Sequence, residues 1–129
     1  MKILAEISVG ELYDKITILN IKLKKINDPN KLKNIKIELD ALIEQSNKLI
    51  LKEDEILKKN IQKLQDINEE LWDIENAKRE CEANKEFGEI FIKISRDVHF
   101  KNDIRASIKK EINLLSNSKI TEEKEYSKY

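Results

Sequence analysis

Gripping a phosphate or carboxylate calls for arginine, whose planar guanidinium meets two oxygens at once, with lysine beside it as a point charge. In this chain every arginine lies between Asn68 and Asn113, along with the only Trp, the only Cys and the only His. At about 100° per residue, Arg105 falls within about 20° of Ile94 on one helix face, and Lys101 stands as close on the other side. Both therefore sit inside an apolar stripe. On the preceding helix Glu75, Lys78 and Glu82 fall within about 40° of Leu71, and the adjoining stripe holds Trp72 and Arg79. Ionised groups in such positions are costly unless paired or bound, so the set is either an internal ion-pair network or the lining of a polar cleft.

The ion-pair reading is the plainer one, because Lys and Arg stems can lie along a core edge with their heads in water. In the cleft reading Arg79, Arg105 and Lys109, joined by Lys15 and Lys22 from the first helix, hold a phosphate-bearing small molecule, and Trp72 or Phe91 offers a stacking face. Glu82 would complete that lining.

Other reactive residues carry less. His99 has no second His or Cys at metal-ligand spacing and reads as a surface or capping residue. Cys81 reads as a small buried hydrophobe, and as a lone cysteine it makes no internal disulfide. Glu86-x-x-Glu89 could be one acidic pair of a magnesium site, but no second pair follows it. No metal and no cofactor is expected.

Charged residues make up 39% of the 129, yet 25 Lys and Arg face 25 Asp and Glu. No net field draws nucleic acid or an anionic membrane. The local excess from Lys22 to Lys36 lacks arginine and interleaved aromatics, so it reads as a solvated helix turn and a nucleic-acid partner is not expected. No stretch approaches the roughly 20 apolar residues of a membrane span, and the start resembles no secretory signal, so a cytoplasmic location is expected.

Two glycines and one proline leave few helix breakers. Ser8-Val9-Gly10-Glu11 has the form of a capping box, and Leu12, Ile16, Leu19, Leu23 and Ile26 then recur at four- and three-residue steps. Asp28-Pro29 predicts a sharp turn into a second helix carrying Leu32, Ile35, Leu39, Leu42 and Leu49, with Ser46 in the same seam. A new phase set by Leu57, Leu64, Ile67, Leu71 and Ile74 predicts a break near Leu51 to Asp54. Phe87, Ile90, Phe91, Ile94, Val98, Ile108, Ile112 and Leu115 mark a fourth helix if it continues through Phe100 to Asp103.

The expectation is one all-α domain over 1–129: an extended start at 1–8, helices at about 9–27, 29–51, 54–82 and 85–116, and a polar tail at 117–129 that packs Ile120 or Tyr126 loosely. Antiparallel helical hairpins would form an elongated three- or four-helix bundle with coiled-coil character, whose first two seams could also mate with a second copy.

Six segments carry a resemblance: SVGELYDKITILNIK from Ser8 to Lys22, LWDIE from Leu71, RECE from Arg79, FGEIFI from Phe87, NDIRASIKKEIN from Asn102 and EEKEY from Glu122. Through them the chain resembles a small uncharacterised bacterial and phage family, a domain of unknown function whose members often accompany proteins of surface-polysaccharide assembly. The resemblance implies an all-helical fold and supplies no reaction or cofactor. It singles out Asp14, Lys15, Lys22, Glu75, Arg79, Glu82, Asn102, Arg105 and Lys109. The family pattern has Ala and Tyr where this chain has Ser95 and His99, which weakens any role hung on His99. Two functions follow as expectations: an interaction or accessory module with a charged polar cleft, partnered by itself or another protein, or an anion-binding enzyme. Given the association the resemblance implies, that enzyme would act on a phosphorylated or nucleotide-linked sugar, with Asp14 or Glu75 as general base and the arginines as charge clamp.

Overall fold

Local chemistry fixes where each helix begins. In the computed structural model, which describes residues 1–49 and 54–129, Ser8 is extended and its Oγ accepts from Glu11 N–H at 3.0 Å, opening α1 (Val9–Lys25). Asp28 accepts from the N–H groups of Asn30 and Lys31 and opens α2 (Pro29–Asn47), with Pro29 where its missing N–H costs no hydrogen bond. Asp54 opens α3 (Glu55–Ala83) through Ile56 N–H. The fourth helix, α4 (Glu89–Leu115), follows Gly88 without a side-chain cap and is unbroken through Phe100 to Asp103. There is no strand among the described residues, so the architecture is all-α, as the spacing of Leu and Ile predicts.

Two boundaries differ from those read in the sequence. Helix α2 closes at Asn47 and not near residue 51, because its end tightens into three-residue bonds, Lys48 N–H to Gln45 O and Leu49 N–H to Ser46 O, both 3.1 Å. The break expected near Leu51 to Asp54 lies outside the described residues except for Asp54 itself. Helix α4 starts at Glu89 and not at 85, because α3 ends in a Schellman motif: Lys85 takes a positive φ of 53°, Lys85 N–H reaches Glu82 O, and Glu86 N–H reaches Cys81 O. At the other end Asn117, also at φ 53°, repeats that closure through Leu114 O and Asn113 O.

The helices pack as two hairpins joined through α1. Helix α2 lies against α1 alone among the described residues, while α1 also touches α3 and α4, and α3 and α4 share the longest contact. Two apolar clusters result. Leu19, Ile35 and Leu39, with Ile16, Ile26 and Leu42 around them, close the α1–α2 hairpin. Leu57, Leu64, Ile67 and Ile112, flanked by Val9, Tyr13, Ile61, Ile108 and Leu115, join α1 to α3 and α4. Burial along α3 falls from Leu64 at 0% exposure to half-buried Leu71 and Ile74 and returns at Cys81, 6% exposed. Helix α1 has 17 residues against 29 in α3. The far ends of α3 and α4 therefore lack α1's cover, and Phe87 and Ile90, assigned to the stripe of α4, stand 50% and 69% exposed.

Candidate functional site

Helix α1 has two buried faces of different character. One is the Leu12, Ile16, Leu19 stripe. The other is Gly10, Asp14, Thr17 and Ile21, a second row at the same helical spacing, and it looks toward α3 and α4. Gly10 is required there by close approach, since a Cβ would lie 2.6 Å from the Lys109 carbonyl and 2.9 Å from Asn113 Oδ1.

One turn later stands Asp14, at 1% exposure. Its Oδ1 accepts from Asn68 Nδ2 and from Arg105 Nε, both at 2.9 Å, and its Oδ2 accepts from Arg105 Nη2. Lys109 Nζ lies 3.7 Å from the same Oδ2 and donates to Glu11 Oε2 at 2.5 Å. Asn68 also donates to Thr17 Oγ1 at 3.0 Å, and Thr17 donates to the Asp14 carbonyl at 2.8 Å. Arg105 Nη1 reaches Asn102 Oδ1 at 3.4 Å. The fork of Arg105 is thus spent on a carboxylate of its own chain.

Electrostatics follow this wiring. Burial pushes the Asp14 carboxyl up, but the hydrogen bonds from Arg105 and Asn68 and the charges of Arg105 and Lys109 outweigh it and hold the group below the ordinary carboxylate value. The bond to Asp14 raises the Arg105 guanidinium, against the desolvation that lowers it. A carboxylate whose pKa is lowered is moved away from the working pH, where general bases are most effective.

A second polar cluster abuts the first at the start of α1. Its leading N–H groups find three different acceptors: Ser118 Oγ for Val9 at 3.1 Å, Asn113 Oδ1 for Gly10 at 2.7 Å, and Ser8 Oγ for Glu11. Glu122, from the chain's other end, accepts from Ser8 Oγ and, at 3.2 Å, from Asn113 Nδ2. Burial raises the Glu122 carboxyl, but the Ser8 bond, its own backbone N–H, Lys109 and Asn113 bring it below its usual value. That carboxylate stands where a helix N-terminus attracts an anion. The tail expected to pack loosely is instead tied down further along, Lys124 donating to Asp103 at 2.8 Å and Tyr129 Oη to the same carboxylate. The Tyr129 ring meets those of His99 and Phe100 at 5.0 Å. Of the two apolar tail residues, Ile120 is half-buried and Tyr126 is exposed.

The structure gathers some sequence-marked residues and scatters others. Asp14, Asn102, Arg105 and Lys109 converge. Lys15 is an exposed neighbour, 3.8 Å from Glu11 Oε1. Glu75 and Arg79 form an exposed ion pair with each other at 3.0 Å, away from Arg105, and Glu82 is exposed at the end of α3. Trp72 and Lys22 are half-buried and join no hydrogen bond with the cluster. Lys101 leaves the stripe by reaching Glu70 at 2.7 Å. Cys81 is buried and free, His99 is exposed, and Glu86 and Glu89 lie on the surface at the α3–α4 connection. No group of three His, Cys, Asp or Glu side chains able to hold a metal occurs among the described residues.

Asn68, Thr17 and Asn113 were not marked in the sequence, where short polar residues give no charge signal, and Glu122 was read as part of a polar tail. The legible hint was Ser8-x-x-Glu11. Only half of that box forms, because the Glu11 carboxylate turns to Lys109 instead of back to Ser8.

Between α4 and the tail lies an open cleft of about 1410 Å³. Its charged lining is five cations, Arg105, Lys109, Lys110, Lys124 and Lys128, against three acids, Asp103, Glu122 and Glu123. No helix among the described residues is long and apolar enough to cross a membrane.

Compared with known proteins, residues 1–129 match a family described as a family of unknown function, DUF6165. No curated protein and no solved structure matches the chain.

Proposed function

Because the chain belongs to DUF6165, a family of unknown function, its role is read from its own geometry, and we propose that it is a helical interaction or accessory module. Its charged cluster would be an internal clamp, and its working surface would lie elsewhere. One observation carries this: both oxygens of buried Asp14 are filled by Arg105, Asn68 and Lys109. A cleft kept for a phosphate would leave an arginine fork free. Here Arg105 and Lys109 are matched by Asp14 and Glu11, and the neighbouring helix N-terminus is matched by Glu122.

The enzyme reading loses its parts in turn. Asp14 is held ionised, Glu75 is an exposed partner of Arg79, and Trp72 makes no hydrogen bond with the cluster. An interaction module needs none of these. It needs a stiff scaffold with apolar surface on view, which the ends of α3 and α4 provide.

Thermal melting separates the two readings. A ligand at about a hundred times its Kd adds about 2.7 kcal/mol to a folded protein, a shift of several degrees in Tm. The module reading expects melting to be unmoved by millimolar phosphate or UDP-glucose. A rise of several degrees that disappears in Arg105→Ala contradicts it.

A further inference from the structure

We propose that the end of the α3–α4 hairpin docks on the α1–α2 turn of a second copy of this chain, forming a two-fold dimer. The inference deepens the module reading and rests on it.

The two surfaces are opposite in charge and both expose apolar side chains. At the tip Glu80, Glu82, Glu86 and Glu89 are all exposed, and Lys85 is the only cation among residues 80–89. Phe87 and Ile90 stand beside them at 50% and 69% exposure. At the turn Lys24, Lys25, Lys31 and Lys33 are exposed, and the only acid there, Asp28, is occupied in capping α2. Leu23 and Ile37 accompany them at 38% and 61% exposure, Ile37 one turn beyond Lys33 on the same face of α2.

Within one chain the two surfaces cannot neutralise each other. Lys24 reaches Glu69 at 3.7 Å, which sets the basic turn beside the middle of α3. Glu82 lies about 20 Å further along the same unbroken helix at 1.5 Å per residue. That exceeds the screening distance of about 8 Å at physiological salt. Two copies laid side by side in opposite directions solve both mismatches at once. Each tip then meets the other's turn across the same ~20 Å offset, and the contact closes instead of propagating. The dimer covers apolar side chains that a lone chain leaves in water, and opposite charge sets its register.

Sedimentation velocity and light scattering on the full chain test this. The expected result is a dimer whose Kd weakens at least about tenfold between 50 and 500 mM NaCl, as a contact ordered by opposed surface charge must. Glu82→Lys with Glu86→Lys gives a monomer, and so does Lys31→Glu with Lys33→Glu. An equimolar mixture of the two variants restores the dimer, because each then offers the other a complementary pair. Circular dichroism melts of both variants confirm that they remain folded, since all four positions are exposed. A wild-type monomer at every concentration overturns the proposal while leaving the module reading with a different partner. A dimer that survives both reversals, or a mixture that stays monomeric, overturns this surface.

Discussion

At the scale of single residues, the molecule turns on how a buried carboxylate is kept ionised. Asp14 has its pKa depressed, so its contribution to stability is fully present above the unfolded value near 3.9 and is lost as pH falls through the lower folded value. Urea unfolding of the wild type against Asp14→Asn should therefore show a gap at pH 7 that closes below about pH 4. A gap that stays constant across that range means the carboxylate's charge contributes nothing. Arg105 was legible as an anomaly in the sequence because a charge inside an apolar stripe breaks the period. Asp14 was marked by the family resemblance and not by periodicity. Asn68, Thr17 and Asn113 were not legible, since short polar side chains are ordinary on any helix and their burial depends on which neighbour arrives.

At the scale of elements, α1 is the piece on which the others are assembled, and its two faces explain what the sequence hid. The Leu12, Ile16, Leu19 rhythm showed one seam and hence the hairpin with α2. The second seam, Gly10, Asp14 and Thr17, is written in small and polar letters, so hydrophobic periodicity passes over it. Gly10→Ala should thus be costly despite Ala's better helix propensity. Its Cβ meets backbone of α4 at 2.6 Å, and α1 must move away from Asn113. A loss of roughly 1–3 kcal/mol in urea unfolding is expected, and an unchanged or higher midpoint would contradict the close approach. The tail shows the same limit of sequence reading: ITEEKEYSKY looks solvated, yet Glu122 holds Ser8 and Asn113, and Asp103 holds Lys124 and Tyr129. Hydrogen bonds from Lys124 and Tyr129 hold the Asp103 carboxyl below its usual value, and the Glu122 carboxyl is lowered as well. Both contacts are present at neutral pH and are lost on acidification below those values. Glu122→Ala should loosen the segment at neutral pH, read as faster proteolysis within residues 118–129. Cleavage at the wild-type rate would show that the tail is held without it.

At the scale of the whole molecule, three helices are joined by one apolar cluster and one ionic cluster placed side by side. The all-α fold was readable because stripe after stripe of Leu and Ile recurs at helical spacing. Of the residues expected to line a cleft drawn from α1, α3 and α4, Asp14 and Arg105 meet, while Glu75 and Arg79 pair with each other on the surface. Sequence angles place residues around one helix but do not say how far along it the neighbouring helix reaches. Helix α1 ends too soon to cover the far part of α3. The Asp14–Arg105 clamp ties α1 to α4, and a double-mutant cycle on the two residues, followed by urea unfolding at pH 7, tests it. Asp14→Leu and Arg105→Met should each lose about 3 kcal/mol by stranding the partner's charge, while the double variant should recover most of that loss. Two small and additive losses would contradict the clamp and return Arg105 to the candidates for holding a ligand.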